Sequence, residues 1–211
     1  YFVIWTTTAW TLPGNLAIAV HPREEYIAAK VPSGEIYILA AALAEKTLAA
    51  AGIDGYETLA SFTGSELEYM KARHPFLDRD SVLLCADYVT MESGTGCVHT
   101  APGFGADDYM TCKRYKMDMI VPVDDRGYQT EDAGPYAGMY YALQAPHHLP
   151  RYSAVVLLGR GVQGRGCPRM RRCHLDSRMG SRAHDRHDSR ARRLVHFASA
   201  SLGSAYCGIL L

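Results

Sequence analysis

Proline and glycine cut the first 143 residues into short segments, and what lies between them mostly favours strands. YFVIWTTT (residues 1–8) is β-branched and aromatic. WTLPGN (10–15) ends it, because Pro13 and Gly14 favour a turn. LAIAVHP (16–22), EEYIAAKV (24–31), EIYIL (35–39) and YETLASFTG (56–64) read as further strands. SVLLCADYVT (81–90) and GTGCVHTA (94–101) read as strands around a tight connection. Three helices interrupt the pattern. AAALAEKTLAAAG (40–52) is rich in the best helix former and closes on Gly52, SELEYMKARH (65–74) offers Ser65 as a cap, and GADDYMTCKRYK (105–116) has Asp107 and Asp108 in its first turn. MIVPV (119–123) and the turn DDRG (124–127) close the segment. Many short strands with a few helices predict an α+β domain centred on a closed or nearly closed β-barrel.

The formal net charge of zero conceals a boundary. Residues 1–143 hold ten Lys and Arg against nineteen Asp and Glu, a balance of −9. Residues 144–211 hold twelve Arg against three Asp, a balance of +9. Two units are therefore expected: a folded domain over 1–143 and an Arg/Gly/Ser/His-rich tail over 144–211. The tail segment RGCPRMRRCHLDSRMGSRAHDRHDSRARR (165–193) has no clean helical or strand period. It reads either as a disordered basic arm for nucleic acid or as a frameshifted stretch, where GC-rich codons yield Arg, Ala, Gly and Ser. Cys167 and Cys173-His174 fit no ordinary zinc spacing, so no metal is expected. The six scattered cysteines, with no leader at Tyr1 and no apolar run of roughly eighteen residues, predict a reduced, cytoplasmic protein without a membrane span. A start at Tyr1 without Met suggests a piece of something longer.

Two stretches concentrate chemistry. TTTAWTLPGN sets the hydroxyls of Thr6, Thr7 and Thr8 at a strand end, followed by Trp10, Thr11 and Asn15 across the turn. Hydroxyls and an amide can orient a water or hold sugar hydroxyls and a base edge. Equally, threonines favour strands and asparagine caps turns. GTGCVHTAPGFGADDY (94–109) brings backbone close to something through Gly94, Gly96 and Gly103, and alternation turns His99 to the face opposite Val98. His99 either donates to a ligand or is a satisfied structural residue. Asp107 and Asp108 can satisfy amide donors at a helix start, or one of them can bind an ammonium group. They are separated by about 100° around a helix axis, so one at most faces a pocket squarely. The sequence lacks a nucleophile elbow, an HExxH, a paired CxxC and a phosphate-cradling GxxxxGK[ST]. Water is then the expected nucleophile of any hydrolysis here.

Together these motifs resemble the editing domain of isoleucyl-tRNA synthetases, a class I aminoacyl-tRNA synthetase family. WTTTAWTLPGN resembles its threonine-rich peptide and GTGCVHTAPGFGADDY its second editing motif; HPFLDRDSV (74–82) and IVPVDDRG (120–127) follow in the expected order. The likeness covers about residues 1–143. It implies hydrolysis of valine mis-attached to isoleucine tRNA. It assigns Asp108 to the substrate's α-ammonium, His99 to the pocket wall that rejects isoleucine, and Thr6, Thr7 and Thr8 to the scissile ester and terminal adenosine. Trp10, Thr11, Asn15, Gly94 and Gly96 are implied substrate contacts. Ala9, Phe104 and Ala106 depart from the family's usual Pro, His and Pro. HIGH-like and KMSKS-like signatures are not found in the chain, so ATP and magnesium are expected only for an aminoacylation domain of the parent enzyme, and editing itself needs no cofactor. The implied partner is isoleucine tRNA, bound by a monomer. Two other readings stand beside this one: a non-catalytic tRNA-binding remnant and an inert gene fragment.

Overall fold

The computed structural model describes residues 1–6 and 8–140, and the backbone pairing of three strand segments, 153–158, 193–198 and 205–210. Strand β1 (Phe2–Thr6) is the hub. It is followed by a 3₁₀ turn (Ala9–Gly14), β2 (Ala17–Val20), β3 (Glu25–Lys30), β4 (Ile36–Ala40), helix α1 (Ala41–Ala50) and β5 (Glu57–Thr63). Next come α2 (Gly64–Leu67), β6 (Lys71–Arg73), β7 (Asp80–Cys85), β8 (Cys97–Thr100), α3 (Ala106–Arg114) and a second 3₁₀ segment (Glu131–Tyr136). The architecture is α+β, with the sheet curled into a half-barrel.

One edge of β1 carries two neighbours in succession. β4 lies parallel to it at Phe2 and β8 lies parallel to it at Trp5. The changeover is held by the Ala40 N–H, which donates to the Thr95 carbonyl at 2.9 Å. From this fork the sheet divides into two wings, β4–β3–β5 and β8–β2–β7–β6. The wings face each other across the main core. Tyr26, Ile38 and Phe62 from the first pack in one cluster with Ile18, Leu83 and Cys97 from the second, and with Phe2 and Ile4 of β1. Side chains alternate across a strand, so Val3 turns the other way, with Ile27, Tyr37 and Leu39, and is covered by Ala44 and Leu48 of α1. Cys112 of α3 covers Ala17 and Leu84 on the outside of the second wing. The wings end at β5 and β6, which do not pair with each other, and α2 carries the chain between them.

Most sequence-derived elements are present, with three differences. The third strand of the second wing was expected to run to Thr90 but stops at Cys85. Its partner β2 ends at Val20, and after the Ala86 N–H bonds the Val20 carbonyl there is no ladder left to join. The helix expected from Ser65 to His74 is a single turn followed by β6. Its cap is Thr63, not Ser65, because Thr63 and Glu66 form a reciprocal capping box two residues earlier. The Arg-rich stretch is flanked by short apolar runs that form strands. β9 (Ser153–Leu158) pairs antiparallel with all five residues of β1, and β11 (Ala205–Leu210) joins β9 to β10 (Arg193–Ala198). Gly52 does terminate α1. It adopts φ +71°, and the Ile53 N–H reaches back to the Leu48 carbonyl at 2.9 Å.

Candidate active site

Because β1 and β8 run parallel, their C-terminal ends come out side by side, and a cavity of about 610 Å³ opens there. Thr6, Thr8, Trp10 and Thr11 line one part of it. Gly94, Thr95, Gly96, Val98 and His99 line another, with Tyr88, Phe104 and Asp108 beyond. The two motifs singled out in the sequence therefore meet at one site. Thr7 lies outside the described residues, as do Cys167, Cys173 and His174.

The threonine peptide is held by its own hydroxyls. The Thr8 N–H donates to Thr6 Oγ1 at 3.0 Å, Thr11 Oγ1 donates to the Thr8 carbonyl at 2.8 Å, and the Thr6 and Thr8 hydroxyls lie 3.3 Å apart. These bonds fold the residues after β1 into the 3₁₀ turn and present several hydroxyls to one cavity.

His99 is 8% exposed, and both of its ring nitrogens have partners within the protein: Nε2 lies 2.9 Å from Thr11 Oγ1 and Nδ1 lies 2.7 Å from Asn15 Nδ2. Burial pushes its pKa down to about 3, and His74 nearby adds to the effect. The ring is thus neutral at physiological pH, with no free nitrogen to act as a base. Asn15, read from the sequence as a substrate contact, is fully buried and does not line the cavity. Its amide turns toward His99, the Ala17 carbonyl and the Ser81 hydroxyl.

Among the described residues, Asp108 is the one carboxylate lining the cavity, and its neighbour Asp107 is exposed outside it. One step around α3 separates the two. Asp108 Oδ2 accepts from the Ala101 N–H at 2.9 Å, which ties the helix start to the end of β8. Burial holds its carboxyl above the ordinary carboxylate value; the Ala101 N–H opposes this and Asp107 adds to it. A partly desolvated carboxylate with one oxygen engaged is suited to receive a cation.

The glycine wall depends on close approach. Gly96 has φ +73°, and a Cβ there would lie 2.4 Å from Ala40 Cβ. Its carbonyl accepts from the hydroxyl of fully buried Tyr26 at 2.6 Å, and the Gly94 carbonyl accepts from Thr47 of α1 at 2.9 Å. Cys97, beneath this wall, has its thiol pushed up by burial, so it stays protonated and is not a nucleophile. Among the described residues, no group of three His, Cys, Asp or Glu is placed to hold a metal.

Sequence reasoning missed Trp5, Tyr88, Thr90 and Ser93 as lining residues. The last three sit on the connection between β7 and β8, where the polar run before GTG was the available signal.

No protein-family model matches the chain. It is 57% identical over 140 residues to the isoleucine–tRNA ligase of Petrotoga mobilis, a match covering 66% of this chain and 15% of that protein. It is 52% identical over 141 residues to the isoleucine–tRNA ligase of Caldicellulosiruptor saccharolyticus, covering 67% and 15%, and 52% identical over 139 residues to that of Geobacillus kaustophilus, covering 66% and 15%. Among solved structures, it is similar to the editing domain of the P. falciparum cytosolic leucyl-tRNA synthetase with insertions 1 and 3 deleted. That match has a TM-score of 0.48 and 14% identity, and covers 66% of this chain and 71% of that one. The chain spans about 15% of the length of the curated relatives it matches. Over about two thirds of its residues, it belongs to the isoleucine–tRNA ligase family.

Proposed function

We propose that this chain carries a proofreading site that hydrolyses valine mis-attached to isoleucine tRNA. The observation that carries the reading is the sharing of one cavity by a single carboxylate, Asp108, and a wall of threonine hydroxyls beside a neutral histidine. Asp108 binds the α-ammonium of the aminoacyl group. Thr6 and Thr8, with Thr7 between them, hold the terminal ribose and a water close to the ester carbonyl. The water adds to that carbonyl, the C–O bond to the ribose breaks, and the ribose oxygen takes up a proton, leaving free valine and uncharged tRNA. Among the described residues, no side chain of the cavity is placed as a strong base, so the tRNA's own vicinal hydroxyl is the natural proton relay. Trp10, Thr11, Gly94, Gly96 and His99 bound the space left for the side chain.

Such a site meets a physical need. An isoleucine pocket cannot clash with valine, and one methylene is worth about 1–3 kcal/mol, a general figure for which the isoleucine–valine pair is itself the standard illustration. A second pocket, sized for valine, rejects isoleucine by volume. In this reading the rest of the enzyme supplies ATP- and magnesium-dependent aminoacylation and most of the grip on isoleucine tRNA, as a monomer in the cytoplasm, and editing uses no cofactor.

The test is deacylation of valine-charged and isoleucine-charged isoleucine tRNA by the chain and by Asp108→Ala. Selective valine release, reduced about 10- to 150-fold in the variant as expected for a lost charged contact, supports the reading. Equal background release from folded wild type and variant favours a non-catalytic remnant.

A further inference from the structure

Ser81, at the start of β7, is fully buried behind the cavity and donates its hydroxyl proton to Asn15 Oδ1. The orientation of the Asn15 amide is not free. Its Nδ2 lies 2.8 Å from the Ala17 carbonyl, which only accepts, so the nitrogen occupies that side and Oδ1 the Ser81 side. The other Nδ2 proton then meets His99 Nδ1 at 2.7 Å. An amide NH₂ cannot accept, so Nδ1 accepts, and the single proton of the neutral ring sits on Nε2. Nε2 donates to Thr11 Oγ1 at 2.9 Å, and Thr11 donates onward to the Thr8 carbonyl at 2.8 Å. Each link therefore points the same way, from Ser81 through Asn15, His99 and Thr11 to Thr8.

We propose that Ser81 and Asn15 are positioning residues that lock His99 in its Nε2–H tautomer, so that the ring turns a carbon edge rather than a nitrogen toward the cavity. Resting on the editing reading, this makes the relay a specificity device. A histidine with both nitrogens engaged behaves as an apolar wall for an aliphatic side chain, and a fixed ring sets the width of the space beside it. The same relay commits the Thr11 hydroxyl to the Thr8 carbonyl, which fixes the bend of the threonine peptide. Asn15 and Ser81 have no contact with the cavity, so they act through His99.

Long-range ¹H–¹⁵N NMR of the histidine rings in the labelled full chain tests this, with a His99→Gln sample assigning the signal. Wild type should show His99 as pure Nε2–H at pH 7. Ser81→Ala leaves the Asn15 amide held only through Nδ2, free to swing off the ring. It should give a mixture of tautomers and lower the preference for valine- over isoleucine-charged tRNA about tenfold, and Ser81→Thr should restore both. Should Ser81→Ala fail to fold, Asn15→Asp serves, because a carboxylate accepts from Nδ1–H and should move the proton to Nδ1. An unchanged Nε2–H signature in whichever variant folds overturns the proposal. A wild type that shows the locked tautomer but releases neither amino acid defeats the editing reading alone, while the response of the NMR signature still decides the relay.

Discussion

Replacing Gly96 by alanine isolates the close approach on which the cavity's glycine wall depends. Two costs act together. At φ +73°, an alanine suffers the left-handed penalty of about 1–2 kcal/mol. Its Cβ would also stand 2.4 Å from Ala40 Cβ, where carbon pairs settle near about 3.5–4.0 Å. Neither side can easily retreat. Ala40 is pinned through its N–H to the Thr95 carbonyl, and the Gly96 carbonyl is held by buried Tyr26. Overpacking of this kind costs about 1–3 kcal/mol, so the total is roughly 2–5 kcal/mol. Gly34 is the control. It has φ +88° with nothing within 4 Å of an added Cβ, so its alanine variant should lose only the conformational part, about 1–2 kcal/mol. Urea unfolding followed by circular dichroism compares the two, with m checked for constancy. Gly96→Ala should exceed Gly34→Ala by about 1–3 kcal/mol. Equal losses would refute the claim that contact with Ala40, rather than backbone conformation, makes glycine necessary at this wall.

His99 and His74 predict acid lability. Their folded pKa values are lowered to about 3 and about 4 from the ordinary 6.5, so the unfolded chain protonates first and stability is intact above about 6.5 and drains as pH falls. At about 1.4 kcal/mol per pH unit for each ring, urea unfolding at pH 5 should show a loss of roughly 4 kcal/mol relative to pH 7, and an unchanged midpoint would contradict it. Thr63→Ala removes half of the capping box at α2 and should cost about 1 kcal/mol in the same assay, whereas Ser65→Ala should cost less. Residues 1–143 carry a balance of −9, so their complex with isoleucine tRNA should be weak and fall steeply between low and physiological salt; tight, salt-insensitive binding by filter assay would count against this.

The sequence revealed the parts of the site that depend on local chemistry. β-branched, aromatic and apolar runs cut by Pro and Gly placed β1, β2 and β8, and the step of about 100° between Asp107 and Asp108 is in keeping with Asp108 lining the cavity while Asp107 does not. What stayed hidden depends on which strands become neighbours. Nothing local to YFVIWT says that β1 will give half an edge to β4 and half to β8, yet this fork brings Gly96 against Ala40 and opens the cavity. Ser81 reads as an ordinary strand residue until β7 pairs with β2 and sets it against Asn15. Asn15 reads from the sequence as a substrate contact because it belongs to the threonine peptide, whereas packing turns its amide inward to His99, Ala17 and Ser81. The end of SVLLCADYVT was misjudged for the same reason, since a strand stops where its partner does.

The proposed chemistry also explains why a hydrolytic pocket should hold so little charge. An ester between an amino acid and a ribose hydroxyl is already activated, so the difficult task is selection rather than bond cleavage. A strong general base would hydrolyse correctly charged tRNA whenever the chain end wandered in. On the proposed reading the pocket instead uses one carboxylate, which reads a feature common to all amino acids, and neutral groups that set position and width. On that same reading, selectivity rests on the rigidity of the wall: the His99 ring with both nitrogens engaged, the glycine backbone pinned by Tyr26 and Thr47, and the threonine turn closed on itself. A substitution that displaces or loosens the wall without touching Asp108 should therefore harm discrimination more than rate. Comparing valine and isoleucine release across Gly96→Ala and Ser81→Ala distinguishes this from a site limited by its catalytic groups, for which the two rates would fall together.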